Sequence, residues 1–282
     1  MTLPILRGRV TGLPIVLTLA SCLLAAPAPG ADQPAGASSL AGAQRLFYNG
    51  SYAEAAEMAR ALRSADGADL AAYELLTSAL HFQIREAMGK ASDRIKASDK
   101  NKALAACAEC PGLLSAFKEE TARSLALARA RLKVNAQDDV ARFFVGKLNL
   151  NHVWLHLGTL GRRTAWSEYR EARRSIEAVL KRDPAHVRAR VAHAWIEYIV
   201  DTRVPFGFQW ILGGGDRKKA LAAVKAAASA DTDFFVRTEA RFALWEMQIR
   251  EKLVADAVAT ARTLLVDFPG NRDLVKFVET SK

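Results

Sequence analysis

From about residue 40 to the C-terminus, apolar residues recur at i, i+3, i+4 and i+7, and short turns containing Gly, Pro, Asn or Asp interrupt them. That period gives each stretch one apolar helical face, and no stretch alternates apolar and polar residues as a half-buried strand does. A tighter regularity runs through it. Counting twelve residues on from Ala55, Ala172, Ala220 and Ala257 lands on Gly67, Pro184, Thr232 and Pro269, all residues suited to breaks between helices. A small Ala side chain lets paired helices approach closely, while Pro ends one helix and begins the next. Composition closes off the alternatives. With 50% hydrophobic residues the chain can build a core, so it is not disordered, and with 3 Cys in 282 residues it is no disulfide-stapled miniprotein.

The four anchored segments, Tyr52-Ala53-Glu54-Ala55, Tyr169-Arg170-Glu171-Ala172, Arg217-Lys218-Lys219-Ala220 and Val254-Ala255-Asp256-Ala257, resemble the tetratricopeptide repeat (TPR). That family repeats a helix pair of about 34 residues with a small residue early in the second helix and Pro at its end. Ala220 to Ala257 spans 37 residues, close to one unit, whereas Ala172 to Ala220 spans 48 and holds an insertion. Residues 113–134 with 138–158 read as a further, degenerate pair. The polar stretch from Met88 to Lys102 reads as a connecting loop or irregular helix. The resemblance implies an all-α fold, a TPR-like α-solenoid of stacked antiparallel helix pairs over residues 40–282, elongated, with a concave face lined chiefly by the first helix of each pair.

In that register one first helix turns Arg188, Val191, Trp195, Tyr198 and Ile199 toward the concave face, and another offers Glu239, Phe242, Glu246 and Arg250. Aromatic anchors beside charges suit a groove for a protein or peptide partner, though Trp195 is equally suited to the core between helices. The insertion, residues 201–214, carries Phe206, Phe208 and Trp210 where a polar turn belongs. Such apolar content either folds back over the helices or forms a partner or membrane contact.

Residues 1–31 have the parts of an export signal: Arg7 and Arg9, an apolar run from Leu13 to Leu24, and a small-residue stretch from Ala25 to Ala31. The run is too short for a membrane-spanning helix of about 20 residues. Conventional cleavage near Ala28 to Ala31 fits, and so does lipidation at Cys22, where Leu19-Ala20-Ser21-Cys22 matches a bacterial lipobox. Residues 32–39 form a polar tether. Either route places the protein in the periplasm or at the cell envelope, and that location speaks against nucleic acid as the partner of a chain of net charge +10, leaving an acidic partner, an anionic lipid surface or a merely solvated helical face. Nine Lys or Arg residues between 160 and 190 form the main basic concentration.

Removing Cys22 leaves Cys107 and Cys110, a pair suited to a disulfide in an oxidising compartment. The same spacing ahead of a helix also occurs in redox dithiols, but the strand and helix of a thioredoxin-like setting are missing. His152 and His156, four apart, face one way on a helix, as do His193 and Glu197, yet a metal site needs more ligands than either pair supplies. Gly213-Gly214-Gly215 ahead of Lys218 and Lys219 lacks the closing Gly-Lys-Ser/Thr of a phosphate loop, leaving only the helix N-terminus to attract an anion. No catalytic constellation, metal or cofactor is expected. The functional expectation is a non-enzymatic interaction scaffold; the alternatives are a helical periplasmic ligand-binding component assisting transport and, behind it, a thiol-disulfide enzyme.

Overall fold

The structure is a computed structural model that describes residues 39–65, 69–96, 98–162, 165–203 and 213–281. The signal segment with Cys22, the breaker Gly67, and Phe206, Phe208 and Trp210 of the insertion lie outside the described residues.

The described chain is all-α, with no strand among its residues. Its helices are α1 (Leu40–Tyr48), α2 (Tyr52–Ala65), α3 (Leu70–Ile95), α4 (Lys100–Ala105), α5 (Cys110–Val134), α6 (Asp139–Val153), α7 (Trp166–Arg182), α8 (Val187–Arg203), α9 (Arg217–Ala228), α10 (Phe234–Arg250), α11 (Val254–Asp267) and α12 (Arg272–Thr280). A π-helical turn, Trp154–Thr159, continues α6. Ser39, Asp69, Asp99, Asp138, Asp216, Asp233 and Asn271 cap helices by accepting hydrogen bonds from first-turn backbone N–H groups. Each satisfies a donor the helix itself leaves unpaired.

The alanine register acquires a physical meaning in this arrangement. Ala55, Ala172, Ala220 and Ala257 are each 0% exposed, and they lie in α2, α7, α9 and α11. Pro184, Thr232 and Pro269 fall in the turns that lead into α8, α10 and α12. Helices α6 and α7 also approach closely, so that a Cβ on Gly146 would sit 2.6 Å from Ile176 Cδ1. Apart from α4 and α5, consecutive helices pack on one another along the chain, and α3, α6, α8 and α10 also pack in series. The helices α1, α3, α6, α8, α10 and α12, the inner row below, contribute to the wall of one pocket, and the outer helices α2, α5, α7, α9 and α11 pack against their sequence neighbours in that row.

Of the two readings of Met88 to Lys102, loop or irregular helix, the helical one holds: α3 runs unbroken to Ile95, ends at Lys96 in the left-handed region (φ 49°), and α4 follows. Its polar residues are those of a helix end facing solvent, supported by a Lys90–Glu86 ion pair one turn apart. The expectation of an elongated array is corrected, because its ends meet instead of lying far apart. Tyr48 at the end of α1 packs 5.1 Å from Phe242 and 5.6 Å from Phe268, ring centroid to centroid. Asn271 Nδ2 donates to the Tyr48 carbonyl at 2.7 Å, and Gly270 N donates to Asn49 Oδ1 at 2.9 Å. The two ends of the helix series therefore meet, and the face between them is divided into partly open pockets. No helix among the described residues is long and apolar enough to cross a membrane.

Candidate functional site

The inner helices surround a cavity of about 370 Å3. A second chamber, about 430 Å3, shares Phe82, Trp154 and Trp195 with the first, and with them Ser78, Arg85, Asn151 and Glu246, so the two abut across a divide of aromatic and polar side chains. The α8 stripe Arg188, Val191 and Trp195 and the α10 stripe Glu239, Phe242 and Glu246 line the first chamber, while Arg250 lines the second. Both stripes follow the i, i+3, i+7 spacing that keeps side chains on one helix face. Tyr198 and Ile199 do not line either chamber. A turn beyond Trp195, Tyr198 packs edge-on against that indole and donates to Glu251 at 2.8 Å, and Ile199 is buried. Trp195 itself serves both core and cavity: it is nearly buried and its ring meets Trp154 edge-to-face at 5.0 Å.

Four charges occupy one wall of the first chamber. Arg188 Nε lies 2.6 Å from Glu239 and its Nη2 3.1 Å from Glu74; Lys147 Nζ lies 2.6 Å from Glu239 and 3.8 Å from Glu74. The quartet thus joins α3, α6, α8 and α10. Burial alone would raise the Glu239 pKa, but the charges of Arg188 and Lys147 outweigh it and hold the carboxyl well below its ordinary value. Conversely, Arg188 is desolvated yet held protonated by Glu239 and Glu74. Its guanidinium also lies 5.0 Å over Phe143. A Glu held ionised at neutral pH is suited to charge pairing and not to donating a proton.

The second chamber differs in character. It is lined by Arg85, Lys100 and Arg250 with Glu246, together with Ser78, Ser92 and Thr159. Arg250 pairs with Glu246 at 2.5 Å and lies 5.9 Å over Trp154 and 5.7 Å over Trp195. Trp154, Gly158 and Thr159 come from the π-helical turn, a distortion that concentrates at functional sites and here re-aims Trp154 toward Trp195. Lys100 donates to the Gly158 carbonyl. His81 Nε2 is 2.8 Å from Thr159 Oγ1, and burial followed by the Arg85 charge pushes its pKa down to about 3, so the ring is neutral.

The remaining candidates fall elsewhere. Cys107 and Cys110 form a disulfide, 4% and 0% exposed, with no open face for an attacking thiolate. His152 and His156 stack at 4.5 Å with pKa values lowered by burial, and His193 lies 3.7 Å from Glu177 and 3.9 Å from Glu197. No group of three metal-ligating side chains occurs among the described residues. The triglycine turn is filled from within. Arg173 donates to the Gly213 carbonyl at 2.8 Å and Asp216 takes the Lys219 N–H at 2.9 Å, so the anion reading of this helix start is set aside. The basic concentration divides as well: Arg188 faces inward, Arg173 pairs with Glu177, Arg182 with Asp139, and Arg170, Arg174 and Lys181 remain exposed on α7.

Glu74, Lys147, Phe82 and Trp154 escape the sequence reading. Glu74 alone left a signal: a carboxylate set among Tyr73, Leu75 and Leu76 has to find a cation if that stretch is buried. No protein-family model matches the chain, and no curated protein matches it.

Proposed function

We propose that this chain is an exported, non-enzymatic binding protein of TPR-like α-solenoid build whose inner face receives a small molecule. Closure of the inner row carries this reading. Where Tyr48 and Asn49 meet Phe242, Phe268, Gly270 and Asn271, the continuous face an extended peptide would need is interrupted. What is left is a partly open pocket of about 370 Å3, within the roughly 300–1,000 Å3 of ligand sites. Its lining combines aromatic surface with convergent charged groups that can orient a ligand, both of which such sites use. The ligand-binding alternative is thereby favoured over an open-groove scaffold. TPR-like build is supported by buried Ala anchors in outer helices and breakers in the turns that follow them. Export is supported by the pattern of residues 1–31 and by the disulfide, since such bonds persist chiefly in oxidising compartments.

Native mass spectrometry of protein purified from its own cell envelope, before and after denaturing extraction, tests the reading. The expected result is a bound small molecule whose loss lowers the melting temperature. Protein that carries no adduct and whose melting temperature is untouched by a library of small amphiphiles would overturn it. A second, outward-facing reading draws on α7, where exposed Trp166 beside Arg170, Arg174 and Lys181 suits an acidic protein partner. Envelope crosslinking that fails to change when the three basic residues become Gln would remove that reading.

A further inference from the structure

The two chambers share a wall but differ in charge. In the first, Arg188 and Lys147 are matched by Glu74 and Glu239 within hydrogen-bonding or ion-pair distance, and Arg85 and the carboxylates Glu246 and Asp273 also line it, so acid outnumbers base there. In the second, Arg85, Lys100 and Arg250 face a single carboxylate, Glu246, already bonded to Arg250. Arg85 has an outside partner in Asp273 at 2.8 Å, but Lys100 has only the neutral carbonyl of Gly158. Partial burial, then the charges of Arg203 and Arg250, lower the Lys100 pKa, as repulsion within an under-compensated cationic group should. Positive charge also sits directly on the divide, because the Arg250 guanidinium covers the faces of Trp154 and Trp195. A ligand crossing the divide would meet indole surface on one side and excess cation on the other.

Building on the ligand-binding reading, we infer that the cavity takes an amphipathic anion, with its single anionic headgroup at Lys100 and Arg250 and its apolar body against Phe82, Trp154 and Trp195. A cationic ligand would face repulsion from Lys100 and Arg250. A neutral one would leave the excess charge uncompensated.

The test compares three probes of equal chain length, decanoate, decanol and decyltrimethylammonium, by calorimetry and by quenching of Trp fluorescence at fixed ionic strength. Decanoate is expected to bind about tenfold tighter than decanol, the value of one charge-assisted contact at a partly solvated site. Lys100→Gln should collapse that ratio toward one, and Lys100→Glu should reverse it. Lys100 is exposed, so both variants should retain the native circular dichroism spectrum, and Arg250→Gln provides a second position. Equal binding of decanoate and decanol, or tightest binding of the ammonium probe, would overturn the anion inference while leaving the cavity reading intact. No binding by any of the three to natively folded protein would overturn the cavity reading and the inference together.

Discussion

Asn271 is the side chain on which closure of the inner row can be tested most cleanly, because its two ends do different things. Oδ1 caps α12 by accepting from Leu274 N at 3.1 Å, while Nδ2 donates to the Tyr48 carbonyl at 2.7 Å, 223 residues away in sequence. Asn271→Asp keeps the cap and removes the closing donor. The lost hydrogen bond costs about 0.5–1.5 kcal/mol. The Tyr48 carbonyl then faces a carboxylate oxygen at a residue only 4% exposed, which adds roughly 1–3 kcal/mol. A charged cap at a helix N-terminus returns about 0.3–1 kcal/mol. The net expectation is a loss of about 2 kcal/mol, or a melting temperature lower by roughly 4–8 °C for a body of this size. Asn271→Ala, which loses cap and donor together, should cost about 2–4 kcal/mol. Urea unfolding followed by circular dichroism gives the energies, and amide hydrogen exchange gives their location. In Asn271→Asp, exchange should quicken in α1 as well as α12. A cost below about 0.5 kcal/mol, within the scatter of ordinary surface changes, or faster exchange confined to α12, would refute the closure account.

The Glu239 carboxyl, held below its ordinary value of 4.5, contributes stability that is fully present above that value and is lost progressively as pH falls beneath it; Glu239→Gln should lower neutral-pH stability and flatten this acid limb in urea titrations. Gly215→Ala would place a Cβ 2.5 Å from Asp201 N and 2.6 Å from the Glu197 carbonyl, both backbone atoms, so it should destabilise by about 1–3 kcal/mol in thermal melts. Gly89→Ala, in mid-helix with nothing within 4 Å of the new methyl, should instead stabilise by about 0.5–1 kcal/mol. Reducing Cys107–Cys110, which closes a loop of sequence separation 3, should cost about 2 kcal/mol in the chain-entropy account while leaving probe binding measurable.

Much of the helical order is local and therefore readable. Asp138, Asp216 and Asp233 precede helical runs and do cap them, Pro184 and Pro269 mark turns, and the spacing of Arg188, Val191 and Trp195 gives the helix face that reaches the cavity. The far end of that stripe was less predictable, because periodicity fixes which way Tyr198 points and not how far along α8 the cavity extends. Met88 to Lys102 stays undecided between loop and irregular helix in the sequence for a related reason: polarity signals exposure, and an exposed helix end looks like a loop. Closure left no local trace at all. Tyr48 and Asn49 carry no pattern that names Phe268 or Gly270, and the partners of Arg188, Glu74 and Glu239, become evident only once three helices are brought together. Nor does any residue type announce the π-helical turn at Trp154.

A linear array of repeats can be shortened from either end with the remainder intact, since each unit depends only on its neighbours. The bond between Asn271 and the Tyr48 carbonyl removes that freedom. During synthesis, α1 emerges early and waits for nearly the whole chain before its partner exists, so the binding chamber comes into being only with the final helices. Trimming α12 should therefore abolish occupancy at a site most of whose walls are still present.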